Sequence, residues 1–177
     1  MKCILNLKQI FKQLDDYKYL FVKTENIPYM PSNFPDDYAI GKDLDIMVKE
    51  KDIDRLKNLF NKYAENYRED FQIILINEAY GFRIRFEVDG KLHFQFDVKY
   101  MDGKLSETFM ESMLNNRKLI GDYYISDERH ELIIRMLCYT PRKPYHLTYI
   151  KNKIESFDSN IVPPILKNKV SNIIKDI

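Results

Sequence analysis

Cysteine is almost missing from this 177-residue sequence: Cys3 and Cys138 stand far apart, in no metal-ligand spacing. That excludes a disulfide framework and a zinc site, and it points to a reducing compartment, the cytosol. An excess of one charge is missing as well. Lys and Arg number 28 against 27 Asp and Glu, for a formal charge of +1. Such a balance gives no field to hold duplex nucleic acid, although a small anion gripped by a few local cations stays open. A long apolar run is absent from the amino terminus, where Lys2, Lys8, Lys12, Asp15 and Asp16 interrupt Met1 to Leu20. The expectation is therefore a cytoplasmic protein with neither a signal core nor a membrane span. No segment repeats and none is of low complexity. What is present is a hydrophobic fraction of 45% and an aromatic fraction of 14%, enough for a folded core in a chain of one domain, or one domain with a short helical appendage.

The periodicity predicts the elements. Leu5, Ile10, Phe11 and Leu14 fall at helical spacing, and Tyr19 to Thr24 reads as a buried strand. Pro28, Pro31 and Pro35 mark residues 25 to 40 as a loop running into Gly41. Leu44, Ile46 and Val48 then alternate with Asp43, Asp45 and Met47, the period of a strand with one apolar face. An amphipathic helix follows near 50 to 66, then a strand from Phe71 to Ile76. Phe82, Ile84, Phe86 and Val88 are separated by Asp89-Gly90 from Leu92, Phe94, Phe96 and Val98, which predicts a hairpin. A two-residue turn would set Phe86 opposite His93, apolar against polar, so a three-residue loop from Val88 to Gly90 is expected. In that register Arg83 faces Gln95, Arg85 faces His93 and Gly81 faces Asp97. Beyond Tyr100 the pattern is helical, broken at Pro141-Arg142-Lys143-Pro144. The reading is an α/β core over 1–100, with a mixed, twisted sheet of four or five strands and helices on one face, and a mostly helical segment over 101–177.

Gly41-Lys42-Asp43-Leu44-Asp45-Ile46-Met47-Val48 is the sharpest local signal. Carboxylates at i and i+2 of a strand point to one side, close enough to share a magnesium ion, and Asp97 in Phe94-Gln95-Phe96-Asp97-Val98 has the context of a third ligand on a neighbouring strand. Such a cluster suits phosphoryl or nucleotidyl transfer.

Here the sequence resembles the nucleotidyltransferase superfamily, whose pattern is acid, hydrophobic residue, acid on one strand and a third acid on a later one. Phe21-Val22-Lys23-Thr24-Glu25 through Tyr38 to Val48 looks like a branch found with bacterial surface-polysaccharide genes. The resemblance covers roughly residues 17 to 100. It implies that Asp43 and Asp45 bind metal, that Asp97 is the third carboxylate and helps activate an acceptor hydroxyl, and that a nucleoside triphosphate is the substrate with Mg2+ as cofactor. It also exposes a departure. The superfamily usually has Gly-Ser or Gly-Gly after its first strand, where backbone amides hold the triphosphate, and here Lys23-Thr24 stands in that place.

Lys23, Thr24, Lys42, Arg83 and Arg85 are the candidate nucleotide-binding residues. For Arg83 and Arg85 both phosphate binding and cross-strand charge pairing are open. His93 reads as an ordinary sheet histidine, His130 as an exposed residue at a helix start, and His146 as a residue that could reach a phosphate from the cleft edge. Two other functions are compatible with the acids. One is a degenerate nucleotidyltransferase fold serving as a binding module. The other is a metal-dependent glycosyltransferase, for which the chain is short. Neither a duplex nucleic acid nor a membrane is an expected partner.

Overall fold

The computed structural model describes residues 5–24, 33–100 and 105–175. Cys3, Pro28, Pro31 and the junction between the two expected segments lie outside these residues. Helix α1 (Leu7–Leu14) starts where the Asn6 side chain accepts the Gln9 N–H, and it buries Leu7, Ile10, Phe11 and Leu14. Strands β1 (Tyr19–Val22) and β2 (Lys42–Val48), helix α2 (Ile53–Glu65) and strands β3 (Gln72–Glu78), β4 (Gly81–Val88) and β5 (Lys91–Lys99) follow. Then come α3 (Glu107–Asn115), β6 (Lys118–Ile120), β7 (Tyr123–Ile125), α4 (Glu128–Cys138), α5 (Tyr145–Lys153) and α6 (Lys167–Lys175).

The strands form one sheet in the order β3-β4-β5-β2-β1-β7-β6. β2 and β5 run parallel, as do β1 and β7, and the other neighbours are antiparallel. Among the described residues seven strands replace the expected four or five, because β6 and β7, of three residues each, are too short to show a period. Helices also cover both faces rather than one. Against one face Phe11, Leu56 and Phe60 pack on Phe21, Ile46, Phe82 and Phe96. Against the other, Met113, Leu132, Ile133 and Ile150 pack on Leu20, Val22 and Met47. That is why β1 reads as an unbroken apolar run: all four of its residues are buried between layers.

The hairpin departs from the expected register. Asp89 and Gly90 have φ of 50° and 71°, which makes a two-residue turn, and Val88 pairs with Lys91. The parity conflict at Phe86 is removed by a bulge between Phe86 and Glu87, so that Phe86 faces Phe94, Arg85 faces Gln95 and Arg83 faces Asp97. His93 is the residue left over. Its carbonyl accepts the Gly41 N–H at 2.8 Å, and its Nε2 lies 2.9 Å from the Tyr38 hydroxyl. The bulge thus anchors the entry into β2.

At the other end of the hairpin, a Cβ on Gly81 would stand 2.0 Å from the Val98 carbonyl oxygen. Gly81→Ala is expected to destabilise the chain by about 2 kcal/mol, since the strand backbone must move apart. Urea denaturation checks this; an unchanged midpoint would show that β4 and β5 separate freely here.

Candidate metal centre

β2 presents Asp43 and Asp45 on the face opposite Leu44, Ile46 and Val48, because side chains alternate along a strand. β5 runs parallel beside it, with Gln95 next to Asp43 and Asp97 next to Asp45. Asp43, Asp45 and Asp97 each offer one carboxylate oxygen, and these oxygens lie within 4.8 Å of one another. Gly41, at φ 79°, turns the chain into β2 while bonded to the His93 carbonyl, which fixes the register that brings the acids together. Three hard oxygen donors at this spacing fit a divalent cation such as magnesium.

Cations surround the cluster. The Lys23 ammonium is ion-paired with Asp45. Arg83 Nε lies 3.1 Å from Asp97 and 2.9 Å from Glu78, at ion-pair distance though outside hydrogen-bond alignment. Lys99 Nζ is 3.9 Å from Asp97, and Gln95 Nε2 donates to Asp97 Oδ1 at 2.6 Å. Burial pushes the Asp97 carboxyl up to about 6; the Asp45 and Asp43 charges add to this, and Arg83 and Lys99 oppose it.

The sign of the consequence follows from the raised value. Folded Asp97 holds its proton more tightly than an ordinary carboxyl near 3.8. Its contribution to stability is therefore full below about pH 4 and is lost as the pH climbs through about 6. Without metal, Asp97→Asn is expected to gain on the wild type by about 2 kcal/mol between pH 4 and 7, an order-of-magnitude figure set by the size of the shift. Urea midpoints of both proteins across that range provide the check, and parallel pH profiles would show that Asp97 ionises normally.

Beneath the acids lies a layer that the sequence reading missed. Lys23, directly after β1, has φ 61°, and its N–H donates to Glu131 Oε1 at 2.8 Å. Glu131 is held in turn by Arg135 Nε at 2.6 Å, and the Arg135 guanidinium lies 4.7 Å from the Tyr149 ring centre. Burial pushes the Glu131 carboxyl up, against the pull of Arg135. Burial would lower the Lys23 pKa, but Asp45 chiefly holds it above its ordinary value. His146 is 2% exposed, with Nδ1 lacking a hydrogen-bond partner. Its pKa falls to about 4, through burial and then through Arg135, Lys23 and Lys143. It is enclosed next to the site rather than open on the cleft. The available signal was a charged i,i+4 pair, Glu131 and Arg135, in an otherwise apolar helix stretch from Glu131 to Leu137.

The other candidates divide. Lys42 pairs in register with Phe94, whose ring is in the core, so its side chain leaves the sheet on the face away from the acids. Thr24 follows Lys23 half-buried. Arg83 and Arg85 share the acid face, and both are paired with carboxylates there, Arg85 with Glu87 at 2.8 Å. His130, expected at the surface, is 1% exposed. It bonds Asp127 through Nδ1 and lies 2.9 Å from the Ser112 hydroxyl through Nε2, joining α3 to α4.

No family model matches the chain, and no curated protein matches it in sequence. Solved structures do match. A proposed nucleotidyltransferase from Helicobacter pylori superposes with a TM-score of 0.51 at 14% identity, over 94% of this chain and 72% of that one. An antigenic nucleotidyltransferase-like protein from Paracoccidioides brasiliensis gives 0.55 at 11% identity, over 96% and 85%. At such identities the likeness is one of fold. The chain has an α/β fold of the nucleotidyltransferase type, a mixed sheet whose last two strands, β6 and β7, come from the otherwise helical carboxy-terminal part. Among the described residues no helix is long and apolar enough to cross a membrane.

Proposed function

We propose that the chain is a magnesium-dependent nucleotidyltransferase that moves a nucleotidyl group from a nucleoside triphosphate to a small acceptor, such as a sugar or a phosphorylated metabolite. The observation that carries this reading is the convergence of Asp43, Asp45 and Asp97, one oxygen each within 4.8 Å, on a sheet of the nucleotidyltransferase type. When bound, magnesium would neutralise the triphosphate and stabilise the charge that develops on the attacking and leaving oxygens. Asp43 and Asp45 would hold it. Asp97 Oδ1 is engaged by Gln95 and Arg83, whereas Oδ2 faces Lys99 at 3.9 Å, beyond hydrogen-bond reach, so Oδ2 would be the atom that takes the proton of the acceptor hydroxyl. Lys23 is near enough to Asp45 to meet the phosphates of a nucleotide bound there.

The test is incubation with each common triphosphate, α-labelled, with magnesium and a panel of sugars and sugar phosphates. The expected result is pyrophosphate release with the label in a small product. Label released instead as nucleoside diphosphate would indicate glycosyl transfer.

One observation favours a second reading, a binding module without turnover. The Lys23 N–H, at the position where the superfamily's amides hold phosphate, is taken by the Glu131 carboxylate. In that case no pyrophosphate appears, and saturating magnesium with every common triphosphate leaves the melting temperature unchanged.

A further inference from the structure

Lys23 is held at its backbone in a way that dictates where its side chain goes. Its φ of 61° is a conformation that costs a non-glycine residue about 1 kcal/mol. Its N–H is fixed on Glu131 at 2.8 Å, and Glu131 is fixed by Arg135 at 2.6 Å within α4. From that tethered position the ammonium reaches Asp45, with side-chain exposures of only 21% and 14% for the two partners. Asp97 is met as well: Arg83 and Lys99 stand on it. Two of the three carboxylates, Asp45 and Asp97, thus already face cations supplied by the chain, with Arg83 shared between Asp97 and Glu78. A divalent ion arriving alone would find part of the cluster's charge already met, and to use Asp45 it would have to drive a mostly buried ammonium off its anion with no replacement at hand.

We propose that the Lys23 ammonium is a built-in competitor for the divalent cation, so that the centre accepts magnesium only together with a polyphosphate, whose oxygens give Lys23 a new anion. The proposal rests on the metal-centre reading above and adds an order of binding to it. The metal enters as the metal–polyphosphate complex, and Lys23 passes from Asp45 to the incoming phosphate oxygens. Lys23 then sets the occupancy of the site and the charge its ligand must carry. A free divalent ion or an uncharged nucleoside is refused, whereas a nucleoside triphosphate complexed with the metal is taken.

The experiment uses Mn2+ as the probe, with free ion followed by electron paramagnetic resonance. The full chain is compared as wild type, Lys23→Met, the charge-keeping Lys23→Arg and Asp45→Asn, each with and without a non-hydrolysable triphosphate. The expected result is that wild type and Lys23→Arg take up Mn2+ only with the triphosphate. Lys23→Met should bind Mn2+ alone at least about tenfold more tightly than wild type, the scale of one lost charge pair. If Lys23→Met does not fold, Lys23→Gly suits the φ of 61° and removes the same charge. Equal Mn2+ affinity of wild type and the neutral variant without triphosphate overturns the proposal and leaves the metal centre standing. No uptake by any protein under any condition, with Asp45→Asn indistinguishable from wild type, overturns the metal centre and the proposal together.

Discussion

Asp45→Asn is expected to abolish magnesium-dependent pyrophosphate release, a loss of about a thousandfold or more, with the fold retained. The carboxylate lies in the cluster that would hold the ion, and removing one charged ligand from a metal centre forfeits several kcal/mol of charge stabilisation in the transition state. From the sequence alone, neutralising Asp45 would be expected to leave the metal-free protein level or more stable, because clustered acids repel. The structure moves that expectation to Asp97. Asp45 is the partner of the Lys23 ammonium, so its neutralisation removes an attraction and should lower stability by about 1 kcal/mol. Asp97 is the acid whose ionisation the fold opposes. Steady-state pyrophosphate release and thermal melts of Asp45→Asn and Asp97→Asn separate these effects. An Asp45→Asn protein with undiminished turnover would remove the metal role from this residue.

Arg135→Met is expected to give the largest loss of stability, about 3 to 5 kcal/mol, because it leaves the Glu131 carboxylate buried without its cation. Arg135 is 1% exposed and its Nε is 2.6 Å from Glu131. In a chain of this size such a loss corresponds to a fall of roughly 10 °C in melting temperature. The effect should reach the site, since Glu131 is what the Lys23 N–H is bonded to. The double variant Arg135→Met with Glu131→Leu should recover much of the stability, because no charge is then stranded, but it should not restore the position of Lys23. Calorimetry on the single and double variants checks the pair. A single substitution costing under about 1 kcal/mol would show that Glu131 does not depend on Arg135.

How legible the site was depended on how local its determinants are. Asp43 and Asp45 share a face because a strand alternates, and the flanking Leu44, Ile46 and Val48 announce that strand. Asp97 could be nominated from its own alternating context, though not placed. Lys42 adjoins Asp43 in sequence, but a one-residue step in a strand crosses the sheet, and the register sets Lys42 beside Phe94. The hairpin shows the same limit. Turn chemistry at Asp89-Gly90 and the aromatic alternation made conflicting demands, and the fold met both by inserting a bulge at His93, where Gly41 and Tyr38 from a distant loop bond to that residue.

The sequence by itself determined the α/β class, the long strands and helices, and the pairing of two acids on one strand, because periodicity and pleat act over a few residues and need no partner. Tertiary structure alone decided the rest. It set Asp97 beside Asp45, Arg83 opposite Asp97, and β6 and β7 on the sheet edge. It also placed Lys23, Glu131 and Arg135 in one chain of contacts that ends on Asp45. Glu131 lies 108 positions from Lys23. Their meeting comes from the packing of α4 against the sheet, where a buried charge is tolerable only if another stands next to it.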